Sequence, residues 1–249
     1  MAGRAYSTEA VVLRSIRLGE ADRVLHLYTR ANGRVGAVAK GVRKTMSRFG
    51  GRLELLSHAE LVLHRGRSDL ETVTGVQLVD SHHGTRKDYY RFSVGMIGAE
   101  AMLRLFPEQE ANESAFGAVK RFLELLDETP RAAVTPTIDP LGLSFQLKLL
   151  WLSGYLPHVS GCAECGAEDE PLVGYSPKAG GAVCSRCAGP AEALALSADG
   201  VAGIAALLAQ PLADAVPLGL TERARRDALR VITASYEYHG GFRLRTLSA

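Results

Sequence analysis

The chain has 249 residues, 47 % of them hydrophobic and 22 % charged, with a formal net charge of +2. This balance excludes an intrinsically disordered chain and allows a buried core in one large or two modest domains. No stretch approaches the roughly 18 uninterrupted apolar residues of a membrane helix, and the N-terminus lacks a signal-peptide apolar core, so a soluble, cytoplasmic protein with no membrane partner is expected.

The charge is unevenly placed. Residues 1–80 carry 13 Lys+Arg and 8 Asp+Glu, while residues 81–249 carry 16 and 19. A polyanion therefore docks first on the N-terminal part. Residues 8–17 are rich in β-branched and apolar side chains and read as a strand, followed by a polar turn at 19–22. Residues 23–30 alternate, with Leu25, Leu27 and Thr29 on one face and Val24, His26 and Tyr28 on the other. Asn32-Gly33 is a hairpin signal, because both residue types tolerate positive φ. Residues 34–40 return as a third strand, 52–65 form a fourth through Leu53, Leu55, Ala59, Leu61 and Leu63, and 70–80 form a fifth through Val73, Val76 and Val79. Five short strands without an intervening helix indicate a small barrel, of the OB or the SH3-like kind.

Between the third and fourth strands lies the densest basic stretch. From Arg23 to Leu53 there are eight basic residues and no Asp or Glu. Arg23, Arg34, Lys40, Arg43, Lys44, Arg48 and Arg52 form the candidate nucleic-acid contact set, with Arg14 and Arg17 extending it. Glycines and hydroxyl residues separate the charges, and backbone amides, hydroxyls and cations together suit phosphate oxygens. Phe49, inside this loop, reads either as a base-stacking platform or as an anchor for the loop.

After residue 80 the period becomes helical. Residues 89–106 place Tyr89, Phe92, Met96, Ala99, Leu103 and Phe106 on one face. Asn112 or Ser114 caps the next helix, through Phe116, Val119, Phe122, Leu123 and Leu126. A Pro-containing linker covers 130–140, and residues 141–155 form an apolar helix with Phe145, Leu149, Leu150, Trp151 and Leu152. Two more helices are expected at 198–210 and 221–238, the latter with Leu229, Ile232 and Tyr236 inward.

Cys162-Ala-Glu-Cys165 and Cys184-Ser-Arg-Cys187 use every cysteine in the chain, with 18 residues between the pairs. Thiolates two apart in a tight turn face one ion, and two such turns complete a tetrahedron, the zinc-ribbon pattern. Four thiolates leave no open coordination position, which points to one structural Zn2+ rather than a catalytic one. An Fe–S cluster accepts the same ligands, and disulfides are the alternative in an oxidising compartment. No phosphate-cradling GxxxxGK[ST], GxSxG or HExxH motif occurs, His82-His83 sits at a strand exit, and the carboxylates form no catalytic cluster. The residues thus describe a binding protein, not an enzyme.

Several segments carry a resemblance. Ala10-Val-Val-Leu13, Gly19-Glu-Ala-Asp-Arg23, Tyr28-Thr-Arg-Ala-Asn-Gly33 and Val38-Ala-Lys-Gly-Val-Arg-Lys44 resemble the N-terminal signature of the RecO family. Phe145-Gln-Leu-Lys-Leu-Leu-Trp-Leu-Ser-Gly-Tyr-Leu-Pro157, the cysteine pairs and Gly180-Gly-Ala-Val-Cys184 resemble its C-terminal signature. The resemblance implies an α+β fold: a five-stranded OB-fold barrel at 1–80, then a helical domain at 81–249 with a four-cysteine zinc-binding insert at 160–190. It implies a bacterial, nucleoid-associated recombination mediator that binds single- and double-stranded DNA and anneals complementary strands. With a RecR-like partner, such proteins help RecA replace single-strand-binding protein, whose acidic, hydrophobic tail would seat beside the helix around Phe145. Two other classes fit parts of the residue pattern: an RNA-binding or translation-associated OB and zinc-ribbon protein, and a metal-dependent nuclease with dispersed carboxylates.

Overall fold

Alternating apolar and β-branched residues draw the N-terminal part of the chain into strands. The computed structural model describes residues 4–190 and 192–247. Within them β1 (Arg4–Leu18), β2 (Asp22–Thr29), β3 (Gly33–Ala39), β4 (His58–Arg65) and β5 (Glu71–Asp80) close into an OB-like barrel in the order β1-β2-β3-β5-β4. β1 serves two neighbours, pairing with β4 through its first half and with β2 through its second. A register shift between Val12 and Arg14 bends it between them, as an extra residue in one strand does. Val12, Leu25, Leu27, Ala37, Leu61 and Leu63 fill the interior. Each large aliphatic side chain among them contributes about 1.5–3 kcal/mol on leaving water.

The Asn32-Gly33 hairpin forms as expected. The Thr29 hydroxyl donates to the Gly33 carbonyl and accepts from the Asn32 N–H, both at 3.0 Å. Gly33 has φ 60, and a Cβ there would sit 1.9 Å from the Glu110 carbonyl oxygen. The fourth strand differs from expectation, starting at His58 and not at residue 52. Leu56 takes φ 65, its N–H donates to the Val12 carbonyl at 2.8 Å, and Ser57 accepts from the Val12 N–H at 3.1 Å. This left-handed corner turns the segment inward before the strand begins.

Three helices follow: α1 (His83–Lys87), α2 (Tyr89–Leu105) and α3 (Glu113–Glu128). They belong with the barrel to one compact unit, Met1–Glu128, so packing divides the chain later than the change of period at residue 80. The face expected for α2 is borne out in part: Ala99 and Phe106 are buried, and Phe92, Met96 and Leu103 are half-buried. Tyr89 is 85 % exposed, and Tyr90, Val94, Ile97, Ala101 and Met102 are buried. Two apolar series at helical spacing run through this stretch, and Gly95 lies on the buried one, where the helix sits close to the loop before β4. A Cβ on Gly95 would meet the Leu56 side chain at 2.6 Å. α3 buries the expected Phe116, Val119, Phe122, Leu123 and Leu126, and the Asn112 carboxamide oxygen caps it by accepting from the Ala115 N–H at 2.9 Å.

Arg34 ties this helical segment to the barrel. Its guanidinium donates to the Leu103 and Phe106 carbonyls and pairs with Glu108 at 2.7 Å. Charge-assisted bonds of this kind are worth about 1.5–3 kcal/mol. Arg34→Ala is expected to lower stability by about 2 kcal/mol in urea unfolding.

The second compact unit is Thr129–Ala249. α4 (Pro140–Leu152) is buried on nearly every side and is capped by Asp139, whose carboxylate accepts from the Leu141 and Gly142 amides. β6 (Leu172–Ser176), β7 (Gly181–Cys184), the short α5 (Ser185–Ala188) and β8 (Leu194–Ala195) follow, with the strands in the order β7-β6-β8. α6 (Ala198–Ala209) and α7 (Glu222–Gly240) complete the unit. Ile232 and Tyr236 face inward as expected, while Leu229 is half-buried and Ala228 takes the interior place beside it. The Tyr175 and Ser235 hydroxyls lie 2.7 Å apart and fasten β6 to α7. Among the described residues, no helix is long and apolar enough to cross a membrane.

Candidate nucleic-acid interface and metal centre

The loop 40–52 is built on the β1–β2 turn. The Asp22 carboxylate accepts from the Gly41 N–H at 2.7 Å, and the Ala21 carbonyl accepts from the Arg43 N–H at 2.9 Å. Gly41 has φ 69 and Gly50 has φ 53, so the loop reverses where only glycine does so without strain. Phe49 and Leu53 are each 1 % exposed and enter the barrel core. The loop is therefore a plug that turns its apolar residues inward and its charges outward. Burial of Phe49 overturns the stacking-platform reading and supports the anchor, with the Arg48 guanidinium 4.7 Å from its ring centroid.

The sequence-derived contact set separates into two groups. Lys40, Lys44, Arg48 and Arg52 are exposed and have no acidic partner among the described residues. Arg14 and Arg17 are likewise exposed, and Arg17 lies directly across from Arg23 in the β1–β2 pair. The others are engaged. Arg43 donates to the Glu20 carbonyl at 2.9 Å and holds the β1–β2 turn against the loop. Arg23 lies 3.6 Å from Glu54. Arg34 is committed to the 103–108 segment, and a phosphate there would have to displace three internal bonds. His26, on the outer face of β2, is held toward its neutral form by burial and by Arg14 and Arg34.

In the second unit, the Sγ atoms of Cys162, Cys165, Cys184 and Cys187 all lie within 4.8 Å of one another, placed to bind one metal ion. The first knuckle closes through the Cys162 N–H to the Ala167 carbonyl and the Gly166 N–H to the Cys162 carbonyl, both at 2.8 Å. The Cys184 N–H donates to the Cys162 sulfur at 3.3 Å. Amide donors from Cys184 and Cys165 hold the Cys162 thiol low, while burial and the neighbouring thiols push Cys187 high. Thiols this close cannot all ionise alone, and a divalent cation between them removes that conflict. The donor set therefore fits a closed, tetrahedral thiolate site.

The groove expected beside the helix around Phe145 has no named lining from the sequence. A cavity of about 470 Å³ opens beside α4, lined by Trp151, Leu156, His158, Ala205 and Leu208 among others. Trp151 is 58 % exposed at the end of an otherwise buried helix. At the polar edge, the Lys148 ammonium donates to the Leu207, Leu208 and Gln210 carbonyls and caps α6. The one signal in the sequence is a large aromatic residue at the end of a strongly apolar helix.

Fold and sites together define a class: an OB-like barrel plugged by a cationic loop, followed in the chain by a helical unit with a four-thiolate knuckle. Comparison with known proteins agrees. A family profile described as recombination protein O N terminal matches residues 1–82, and its C-terminal counterpart matches residues 86–248. The chain is 38 % identical over 228 residues to a DNA repair protein RecO from Rubrobacter xylanophilus, covering 89 % of this chain and 88 % of the relative. It is 37 % identical over 239 residues to one from a Nocardioides species, covering 94 % of each. It is 38 % identical over 243 residues to one from Frankia casuarinae, covering 94 % of this chain and 93 % of the relative. The chain belongs to the RecO family, a family of DNA repair proteins and not of enzymes.

Proposed function

We propose that this protein is a bacterial recombination mediator that binds single- and double-stranded DNA through the barrel plug and anneals complementary strands. The observation that carries this reading is the set of exposed cations Lys40, Lys44, Arg48 and Arg52, none with an acidic partner among the described residues, on a loop anchored by Phe49. Annealing needs no catalytic residue. Cations neutralise phosphates on strands that otherwise repel, and counterion release contributes to association. With Phe49 buried, the plug grips backbone and leaves the bases free to pair.

The four thiolates hold one structural Zn2+. The groove beside Trp151 seats the acidic, hydrophobic tail of single-strand-binding protein: its walls are apolar and Lys148 and His158 lie at its edge. A RecR-like partner then joins, and RecA is loaded onto the cleared strand. The work takes place in the cytoplasm, on the nucleoid.

The test mixes complementary labelled strands with the protein. Faster duplex formation than the spontaneous rate, with intact strands in the presence of Mg2+, supports mediation. Cleavage would instead favour the nuclease reading. Preference for an RNA strand over DNA of the same sequence would favour the RNA-binding one.

A further inference from the structure

The metal centre and the Trp151 groove share a strap of chain. Residues 156–160 form one wall of the groove and run directly into Gly161 and Cys162. At its start, the Tyr155 N–H donates to the Leu150 carbonyl at 2.8 Å, and the Tyr155 ring stacks on His239 at 4.7 Å. In its middle, the His158 N–H donates to the Gly180 carbonyl at 3.0 Å, and the His158 carbonyl accepts from Ala182 at 2.7 Å. Its far end is held by the first knuckle, whose Ala163 N–H donates to the Ala182 carbonyl at 2.8 Å. The second knuckle begins at Cys184, two residues beyond Ala182 in the same strand, β7. One end of the contact between strap and β7, where Ala163 meets Ala182, thus lies beside metal ligands on both sides, Cys162 in the strap and Cys184 in β7.

We propose that metal binding and groove occupancy are coupled: the ion fixes the strap, the strap sets the groove wall, and a ligand in the groove tightens the metal in return. The reciprocity is required by linkage between any two sites that favour the same conformation. Gly181 is the joint. A Cβ there would lie 2.4 Å from the His158 carbonyl oxygen and 2.8 Å from its Cβ, so only glycine lets the strap lie on β7. The proposal rests on the groove's assignment as a peptide site only for its choice of ligand.

Trp151 is the chain's one tryptophan, and its emission reports on the groove. In full-length protein, chelation of the metal under reducing conditions should shift that emission, and added Zn2+ should restore it, with the far-UV helical signal unchanged. A labelled synthetic peptide of aspartates ending in apolar residues should bind the metal-free protein about fivefold or more weakly than the loaded one. Gly181→Ala should produce the same emission shift and loss of peptide with one zinc per chain still bound, and it decides the matter if chelation unfolds the helices. Unchanged emission and peptide affinity in folded, metal-free protein would overturn the coupling, as would a wild-type groove in zinc-loaded Gly181→Ala. If the loaded wild type ignores the peptide while Trp151 still follows the metal, the peptide assignment fails and the coupling stands.

Discussion

Replacing Lys40, Lys44, Arg48 and Arg52 together by alanine is expected to abolish most DNA binding without unfolding the barrel. All four side chains are exposed and none has an acidic partner among the described residues, so the fold loses little. Surface changes of this kind usually stay within about 0.5 kcal/mol each. Each cation that touches a phosphate contributes about 0.7 to the logarithmic salt slope on single strands and about 0.9 on duplex. The slope on single strands should therefore fall by about 3, and affinity at moderate salt by about tenfold or more, equally for all sequences. Titrations at several salt concentrations read both quantities. An unchanged slope in the folded variant would place the phosphate contacts elsewhere. Arg43 does not belong in this set, because it holds the β1–β2 turn through the Glu20 carbonyl and its loss would mix a contact with a prop.

The second large effect is expected at the metal. Cys184 is fully buried, and its amide already serves the Cys162 sulfur. Cys184→Ser leaves three thiolates and a poorly held ion. The insert between Gly161 and Gly189 has few apolar residues of its own, with Val183 its main aliphatic core side chain, and metal binding supplies folding free energy of order 10 kcal/mol in comparable thiolate knuckles. The metal content should drop from one per chain, and proteolysis should open the exposed 163–171 segment. The Tyr175–Ser235 contact should keep β6 on α7, and the barrel, which shares no ligand with the knuckle, should keep its unfolding midpoint. Metal analysis and limited proteolysis test this. Protein purified without chelator that carries no metal, or a disulfide in its place, would contradict the site.

What could be read from the sequence follows the range over which each signal acts. The two CxxC pairs and the Asn32-Gly33 turn are local chemistry, and both stand where their spacing puts them. The barrel strands and the helices of α3 and α7 follow from periodicity over a few residues. The internal engagement of Arg34 is not legible locally, because its acceptors, Leu103 and Phe106, lie far along the chain. A basic residue beside other basic residues looks like part of a patch until its partners are known. Phe49 sits in the most cationic segment, and no local pattern tells that it turns into the barrel. The face of α2 is ambiguous in the sequence because two apolar series overlap, and Gly95 meets Leu56 from a distant loop. The groove beside Trp151 depends on α4, α6 and the strap coming together, which spacing alone does not encode.

The loop on the barrel is expected to bring two DNA strands together. The most direct measurement is the annealing rate of complementary labelled strands with wild-type protein and with the Lys40, Lys44, Arg48 and Arg52 alanine variant, side by side at low salt. The wild type should accelerate annealing and lose that effect as salt rises, while the variant should match the spontaneous rate. A folded variant that anneals as fast as the wild type would contradict the claim.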